Sequence, residues 1–164
     1  MIRGPNYVFL NIPNTGAEEI EKILYRYCDG QVVTPTHETL LEEVDRRTKV
    51  FTVVRKPYHR AIELCRWYAP EEKPVDYLTW LVDRGTLNTR PYSYWTNKCT
   101  NVFKIEEINE KLPPFLLSLG YKIPPTEINT QTFETTVEEA EFIKKAFKDD
   151  FVEAKYSTDR RSKT

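Results

Sequence analysis

Two stretches of the chain repeat one pattern: an unbroken apolar run, a tight loop carrying a proline, and then an amphipathic helix. The first runs Tyr7-Val8-Phe9-Leu10-Asn11-Ile12, turns through Pro13-Asn14-Thr15-Gly16 and continues with an apolar stripe at Ala17, Ile20, Ile23, Leu24 and Tyr27. The second is Lys49-Val50-Phe51-Thr52-Val53-Val54-Arg55, followed by Pro57 and a stripe at Ala61, Leu64, Cys65 and Tyr68. Runs that are apolar at successive positions suit strands covered on both faces, and proline is tolerated in the first turn of a helix because its missing N–H has no partner there anyway. Strands alternating with helices imply crossover units, a parallel sheet, and a ligand site beyond the carboxyl ends of its strands. The repeat therefore sets residues 14–18 beside residues 55–57.

The remaining pattern is compatible with that sheet. Helices are expected over 38–46, with Leu40, Leu41 and Val44 inward, over 75–84, stopped by Gly85, and over 112–119, stopped by Gly120. Thr136-Val137-Glu138-Glu139 has capping-box spacing and starts a long helix with Ala140, Ile143, Phe147 and Phe151 inward. A third strand is expected over 101–105, and residues 86–100 have no clear period. The fold class is α/β, a short parallel sheet flanked by helices, and 164 residues suit a single domain over 1–156 with a frayed polar, basic tail over 157–164. Trp67 and Trp80 are assigned to the core.

Charge and cysteine usage exclude several classes. With 24 Lys+Arg against 25 Asp+Glu the net charge is −1, so no basic field attracts nucleic acid, and any anion must be recognised locally. Cys28, Cys65 and Cys99 form no CxxC pair and the only histidines are His37 and His59, so a zinc site lacks ligands and reduced thiols of a cytoplasmic protein are expected. No run approaches the ~20 apolar residues that span a bilayer, and none reads as a signal peptide; no membrane partner is expected.

Each of the two corners opens a helix, whose free N–H groups and partial positive charge favour phosphate or sulfate. Arg55 adds a planar, permanently charged fork, unless it serves in an ordinary ion pair. A Walker loop is absent, because Ala17 and Glu18 follow Gly16 and no lysine lies in the loop. Glu18 lies three residues beyond Thr15, a second capping-box spacing, which would fold its carboxylate back onto the helix terminus. Glu63 has Arg55, Arg60 and Arg66 as possible partners, and Glu19 faces solvent on this reading.

In these residues the chain resembles the carbohydrate-type sulfotransferases. Their first loop, F-I-H-I-P-K-T-G-G-T-S, is followed in register by Phe9-Leu10-Asn11-Ile12-Pro13-Asn14-Thr15-Gly16-Ala17-Glu18-Glu19, and their F-x-F-V-R-N-P-Y-D-R-L-V-S-A-Y by residues 51–65, Phe51 to Cys65. Val102-Phe103-Lys104-Ile105-Glu106 resembles the family's strand ending in F-E, and Asp150, Phe151 and Tyr156 its last helix. The resemblance implies a P-loop-like sulfotransferase fold and transfer of a sulfuryl group from 3′-phosphoadenosine 5′-phosphosulfate (PAPS) to a hydroxyl or amine of a small-molecule or carbohydrate acceptor. It implies a cofactor site of Asn14, Thr15, Gly16, Ala17, Arg55 and Glu63, with Asn14 and His37 in catalytic positions, Arg55 on the 3′-phosphate and His37 as the base. It implies no metal.

The departures fall in that site. Asn14 stands where the family has lysine, Glu18 and Glu19 where it has a Thr-Ser pair, and Glu63 where it has serine. Carboxylates directed inward would repel a doubly phosphorylated nucleotide. Three functions stay open: a sulfotransferase with a degenerate donor site, a non-catalytic descendant that binds a protein or another small anion, or transfer from a different, less anionic donor. Tyr92, Tyr94 and Trp95, with Arg90, are expected to pack in the core, the other use being to stack on a sugar ring. His59 is given no role.

Overall fold

The computed structural model describes residues 1–33 and 44–164. Its centre is a five-stranded sheet: β1 (Ile2–Arg3), β2 (Tyr7–Leu10), β3 (Gln31–Val32), β4 (Lys49–Val54) and β5 (Asn101–Lys104), in spatial order β3-β1-β2-β4-β5. β2 pairs with β4, and β4 with β5, in parallel, with Phe9 opposite Phe51 and Val53 opposite Phe103. β1 runs antiparallel to both β2 and β3, which makes the sheet mixed and corrects the all-parallel expectation. The reason is local: the Gly4 N–H donates to Tyr7 O at 2.9 Å, closing a tight turn that can join only antiparallel strands, whereas parallel ones need a long crossover. Two-residue strands are too short to show a period in sequence.

Seven α-helices are described: α1 (Glu18–Tyr27), α2 (Pro57–Tyr68), α3 (Pro74–Arg84), α4 (Ser93–Thr96), α5 (Ile108–Ser118), α6 (Val137–Ala146) and α7 (Lys148–Glu153). Pro57 and Pro74 open α2 and α3, and Gly85, at φ 64°, ends α3 by donating its N–H to Leu81 O and Val82 O. The capping box of α6 is formed in full, Thr136 Oγ1 accepting from Glu139 N at 3.2 Å and Glu139 Oε2 from Thr136 N at 2.9 Å. The single long helix expected after it is divided at Phe147, whose φ −115° and ψ 30° are not helical. The helix expected over 38–46 falls mostly on residues outside those described. No helix among the described residues is long and apolar enough to cross a membrane.

The sheet buries both faces. Tyr7, Phe9, Phe51 and Val53 point to a core closed by Ile20, Ile23 and Leu24 of α1 and Ile108, Leu112 and Leu116 of α5. Val8, Leu10, Val50 and Val54 point to a second core closed by α2, α3, α4, α6 and α7. Phe51 is the hub of the first, with ring centroids 5.0 Å from Phe9 and 4.9 Å from Phe115; truncating a ring so enclosed typically costs about 3–5 kcal/mol. Tyr27, placed inward by periodicity, is 45% exposed at the end of α1. The segment 157–164, read from sequence as a loose tail, lies against the domain: Arg160 Nη1 donates to Thr135 O at 2.8 Å and Tyr58 Oη to Thr158 O at 2.5 Å.

Candidate functional site

The two corners meet. After β2 the chain turns through Asn14, at φ 62°, and Gly16, at φ 79°. Nothing crowds the space a Gly16 Cβ would occupy closer than 3.5 Å, so the backbone angle, disfavoured for any side chain, is what calls for glycine. Buried Thr15 donates its hydroxyl to Ile12 O at 2.8 Å and locks the turn. This overturns the capping box expected between Thr15 and Glu18: the helix starts at Glu18 itself, Ala17 is its N-cap, and no side chain caps it. Among the described residues, the N–H groups of Gly16 and Ala17 donate to no backbone or side-chain acceptor.

Arg55, at the end of β4, is 1% exposed. Its Nη1 lies 3.0 Å from Glu63 Oε1 on α2 and 3.5 Å from Asn14 O, and its Nη2 donates to Gln131 O. The guanidinium also sits 5.5 Å from the Phe133 ring centroid. The arginine is thus held by both corners and by a loop, with its charge matched by Glu63. Burying a guanidinium is tolerable only with such pairing and hydrogen bonding.

Asn14, Thr15, Gly16, Ala17, Glu18, Glu19, Arg55 and Glu63 all border one open cleft of about 710 Å³. Trp67 and Tyr68 at the end of α2, Asn129, Thr130 and Gln131 of a loop, and Met1 line it as well. Trp67 is 72% exposed, which corrects its assignment to the core, because α2 turns its last residues away from the sheet. Trp80 is 48% exposed as well, stacked on Tyr77 and covered by Arg84. Tyr92 and Trp95 are buried, as expected, and neither borders the cleft. His37 lies outside the described residues.

Sequence reasoning passed over several buried polar groups that hold the site together. Arg60 donates from Nε to Pro13 O and from Nη2 to Asn88 O, each at 3.1 Å, and its Nη1 lies 3.5 Å from Asp150 Oδ2. It pins the first corner to α7. The helical stripe through Pro57, Ala61 and Leu64 was the available signal, since Arg60 falls on the same face. Asp150 Oδ1 accepts from Tyr92 N at 2.7 Å, and burial pushes the carboxyl up to about 6. His59 accepts the Phe133 N–H on Nδ1 at 3.0 Å; burial first, then Arg55 and Lys56, lower it to about 4, so it is a neutral anchor. Glu106 accepts from Lys56 N at 2.9 Å and from the Tyr156 hydroxyl at 2.6 Å.

Among the described residues, no group of three or more His, Cys, Asp or Glu side chains could hold a metal ion. Comparisons of the chain with protein-family models, with curated proteins and with solved structures find no match. What the site can do is therefore argued from its geometry. It offers open backbone donors, a neutralised arginine, exposed carboxylates, the α-amino group of Met1 and the side chains of Trp67 and Tyr68.

Proposed function

We propose that the chain is a sulfotransferase-like protein on a P-loop-like fold whose donor site has been closed from within, so that it binds a partner or ligand without turning over PAPS. The Arg55–Glu63 pair carries this reading. A nucleotide 3′-phosphate directed at Arg55 must displace Glu63 or sit beside it, and like charges ~4 Å apart repel by about 4 kcal/mol at an effective dielectric of ~20. That alone amounts to roughly a thousandfold in affinity. Asn14 supplies no compensating charge, and Glu18 at the rim adds to the repulsion. Residence in the cytoplasm, supported by the three free cysteines, belongs to the same proposal.

A second reading keeps the enzyme: Arg55 on the 3′-phosphate, Asn14 and the loop N–H groups on the 5′-phosphosulfate, His37 as the base. It is favoured by one observation, the N–H groups of Gly16 and Ala17, which have no acceptor among the described residues. Thermal shift and calorimetry with the desulfated nucleotide, 3′-phosphoadenosine 5′-phosphate (PAP), separate the two. No stabilisation at millimolar PAP is expected; stabilisation that disappears in Arg55→Ala overturns the closed-site reading and restores the enzyme.

A further inference from the structure

We propose that β5 is an interface strand, pairing antiparallel with β5 of a second copy of this chain so that one sheet runs through both. The donor-site reading is independent of it, since the groove beside β5 and the cleft share no lining residue. β5 is the last strand of the sheet, and among the described residues nothing pairs with its outer side. Which of its groups face outward follows from the ladder. Lys49 N donates to Asn6 O, so residues 49, 51 and 53 bond to β2 and the alternate residues Val50, Thr52 and Val54 turn to β5; Val50 O accordingly accepts from Thr100 N at 2.7 Å. Thr52 is level with Val102, and in a parallel pair it bonds to the residues on either side of its partner, Asn101 and Phe103. Val102 and Lys104 therefore direct their N–H and C=O groups out of the sheet. Such an edge is a template for another strand unless something guards it, commonly a lysine or a proline. β5 holds no proline, and its lysine is tied back: Lys104 Nζ donates to Lys155 O at 2.8 Å and lies 4.5 Å from the Tyr156 ring centroid. Val102 is 44% exposed, and a groove of about 460 Å³ bordered by Val102, Phe103 and Lys104 leaves room beside the strand.

What this edge fits is its own image, as a two-fold contact requires. With the axis at Phe103, Val102 of each copy falls opposite Lys104 of the other, and the two exchange both backbone bonds. This register opposes the two outward residues to each other; a shift that centres the axis on Lys104 sets lysine against lysine. The Phe103 rings stand side by side at the axis, each only half-buried in its own copy, 5.1 Å from Phe115. The charges at the two ends match. Lys98, just before β5, and Glu107, just after it, are exposed, and among the described residues neither has an ion-pair partner. The same register carries residues 98–99 of one copy to residues 107–108 of the other, which brings Lys98 beside Glu107 at both ends of the contact. Glu153 reinforces Glu107 on the rim of the groove while Lys111 and Lys155 oppose it, so the pair is tested by exchanging its charges and not by removing one.

Sedimentation equilibrium of the full chain, from about 10 μM to about 1 mM, provides the test. A reversible monomer–dimer equilibrium is expected. Val102→Pro deletes an N–H that faces outward, so the bonds to β4 remain, and it should leave monomers with the circular dichroism of the unsubstituted protein. Val102→Lys keeps every backbone group and should weaken the dimer even where proline disturbs the fold. Lys98→Glu should weaken it about tenfold, because symmetry breaks two ion pairs at once, and adding Glu107→Lys should restore it. Three results overturn the proposal: a monomer throughout the range, a dimer that neither Val102 variant weakens, as pairing through the opposite edge strand β3 would give, or a double variant no tighter than Lys98→Glu alone.

Discussion

Glu63 reaches back two turns along α2 to place a carboxylate oxygen 3.0 Å from Nη1 of Arg55, so the cation that should meet an incoming anion is already met. The pair is self-contained: Arg55 is 2% and Glu63 19% exposed in the side chain. Removing the carboxylate strands a buried positive charge, a change that typically costs about 3–5 kcal/mol. Glu63→Ser should therefore lower stability in urea by that order. PAP, or sulfate, should then restore much of it, giving nucleotide binding that the unsubstituted chain lacks. Adding Glu19→Ser should contribute little, because Glu19 is exposed and paired with Lys22. A Glu63→Ser protein that is destabilised but indifferent to PAP would mean that Arg55 is a structural cation with no history as an anion site.

The first corner is held by a hydroxyl and by one backbone angle. Thr15→Val removes the bond to Ile12 O and leaves that buried carbonyl without its partner, which should cost about 1–3 kcal/mol. Gly16→Ala keeps every contact but forces an L side chain to φ 79°, at about 1–2 kcal/mol. Chemical denaturation measures both. A Gly16→Ala protein as stable as the parent would show that the loop relaxes out of the left-handed region.

Much of this corner was legible in the sequence, and the part that was not has a definite cause. The apolar runs at 7–12 and 49–55 gave β2 and β4, because a strand buried on both faces has no other pattern. Of the two Thr-x-x-Glu spacings read as capping boxes, the one at Thr136 forms and the one at Thr15 does not. The difference lies in Asn14 and Gly16, whose positive φ angles postpone the helix to Glu18, making that glutamate the first helical residue where the box needs the third. Trp67 was placed inward because hydropathy carries no information about where a helix outruns its sheet. The co-location of Asn14 with Arg55 followed from topology alone; that Arg55 would be answered by Glu63, out of three nearby arginines, required coordinates.

Asp150 and His59 titrate in opposition. Asp150 is raised from 3.8 to about 6, so between those values the native state holds a proton that the unfolded chain has lost, and stability falls as pH rises. His59 is lowered from 6.5 to about 4, so the unfolded chain holds the extra proton there and stability rises with pH. Each shift corresponds to about 3 kcal/mol, and the two nearly cancel from pH ~4 to ~6. Stability of the parent should be almost flat across that window as far as these groups decide it. Asp150→Asn should leave a curve that climbs with pH, and His59→Gln one that descends. Denaturant midpoints in buffers across the window read the slopes, and two slopes of the same sign would contradict the assignment.

Lys56 sits at the start of α2 with no solvent exposure and, among the described residues, no carboxylate in ion-pair contact. Its ammonium donates to Asp159 O at 2.6 Å and to Ser162 O, and lies 5.5 Å from the Tyr58 ring, so the segment 157–164 is what covers it. Burial lowers its pKa from 10.5, and the positive end of α2 is poorly placed to help. Below 10.5 the unfolded chain therefore holds a proton more firmly than the native state, and the stability lost to this group is greatest once pH has fallen below the native value. Lys56→Met keeps the stem and removes the charge; it should raise stability at neutral pH or leave it unchanged, as apolar replacements of buried charges commonly do. The same substitution deletes both bonds to the segment, which should then exchange its amide hydrogens faster and be cut sooner by trypsin at Arg160 and Arg161. Stability and protection of the segment should part company. If instead both fall together, the lysine is a net stabilising strut whose charge the carbonyls fully satisfy.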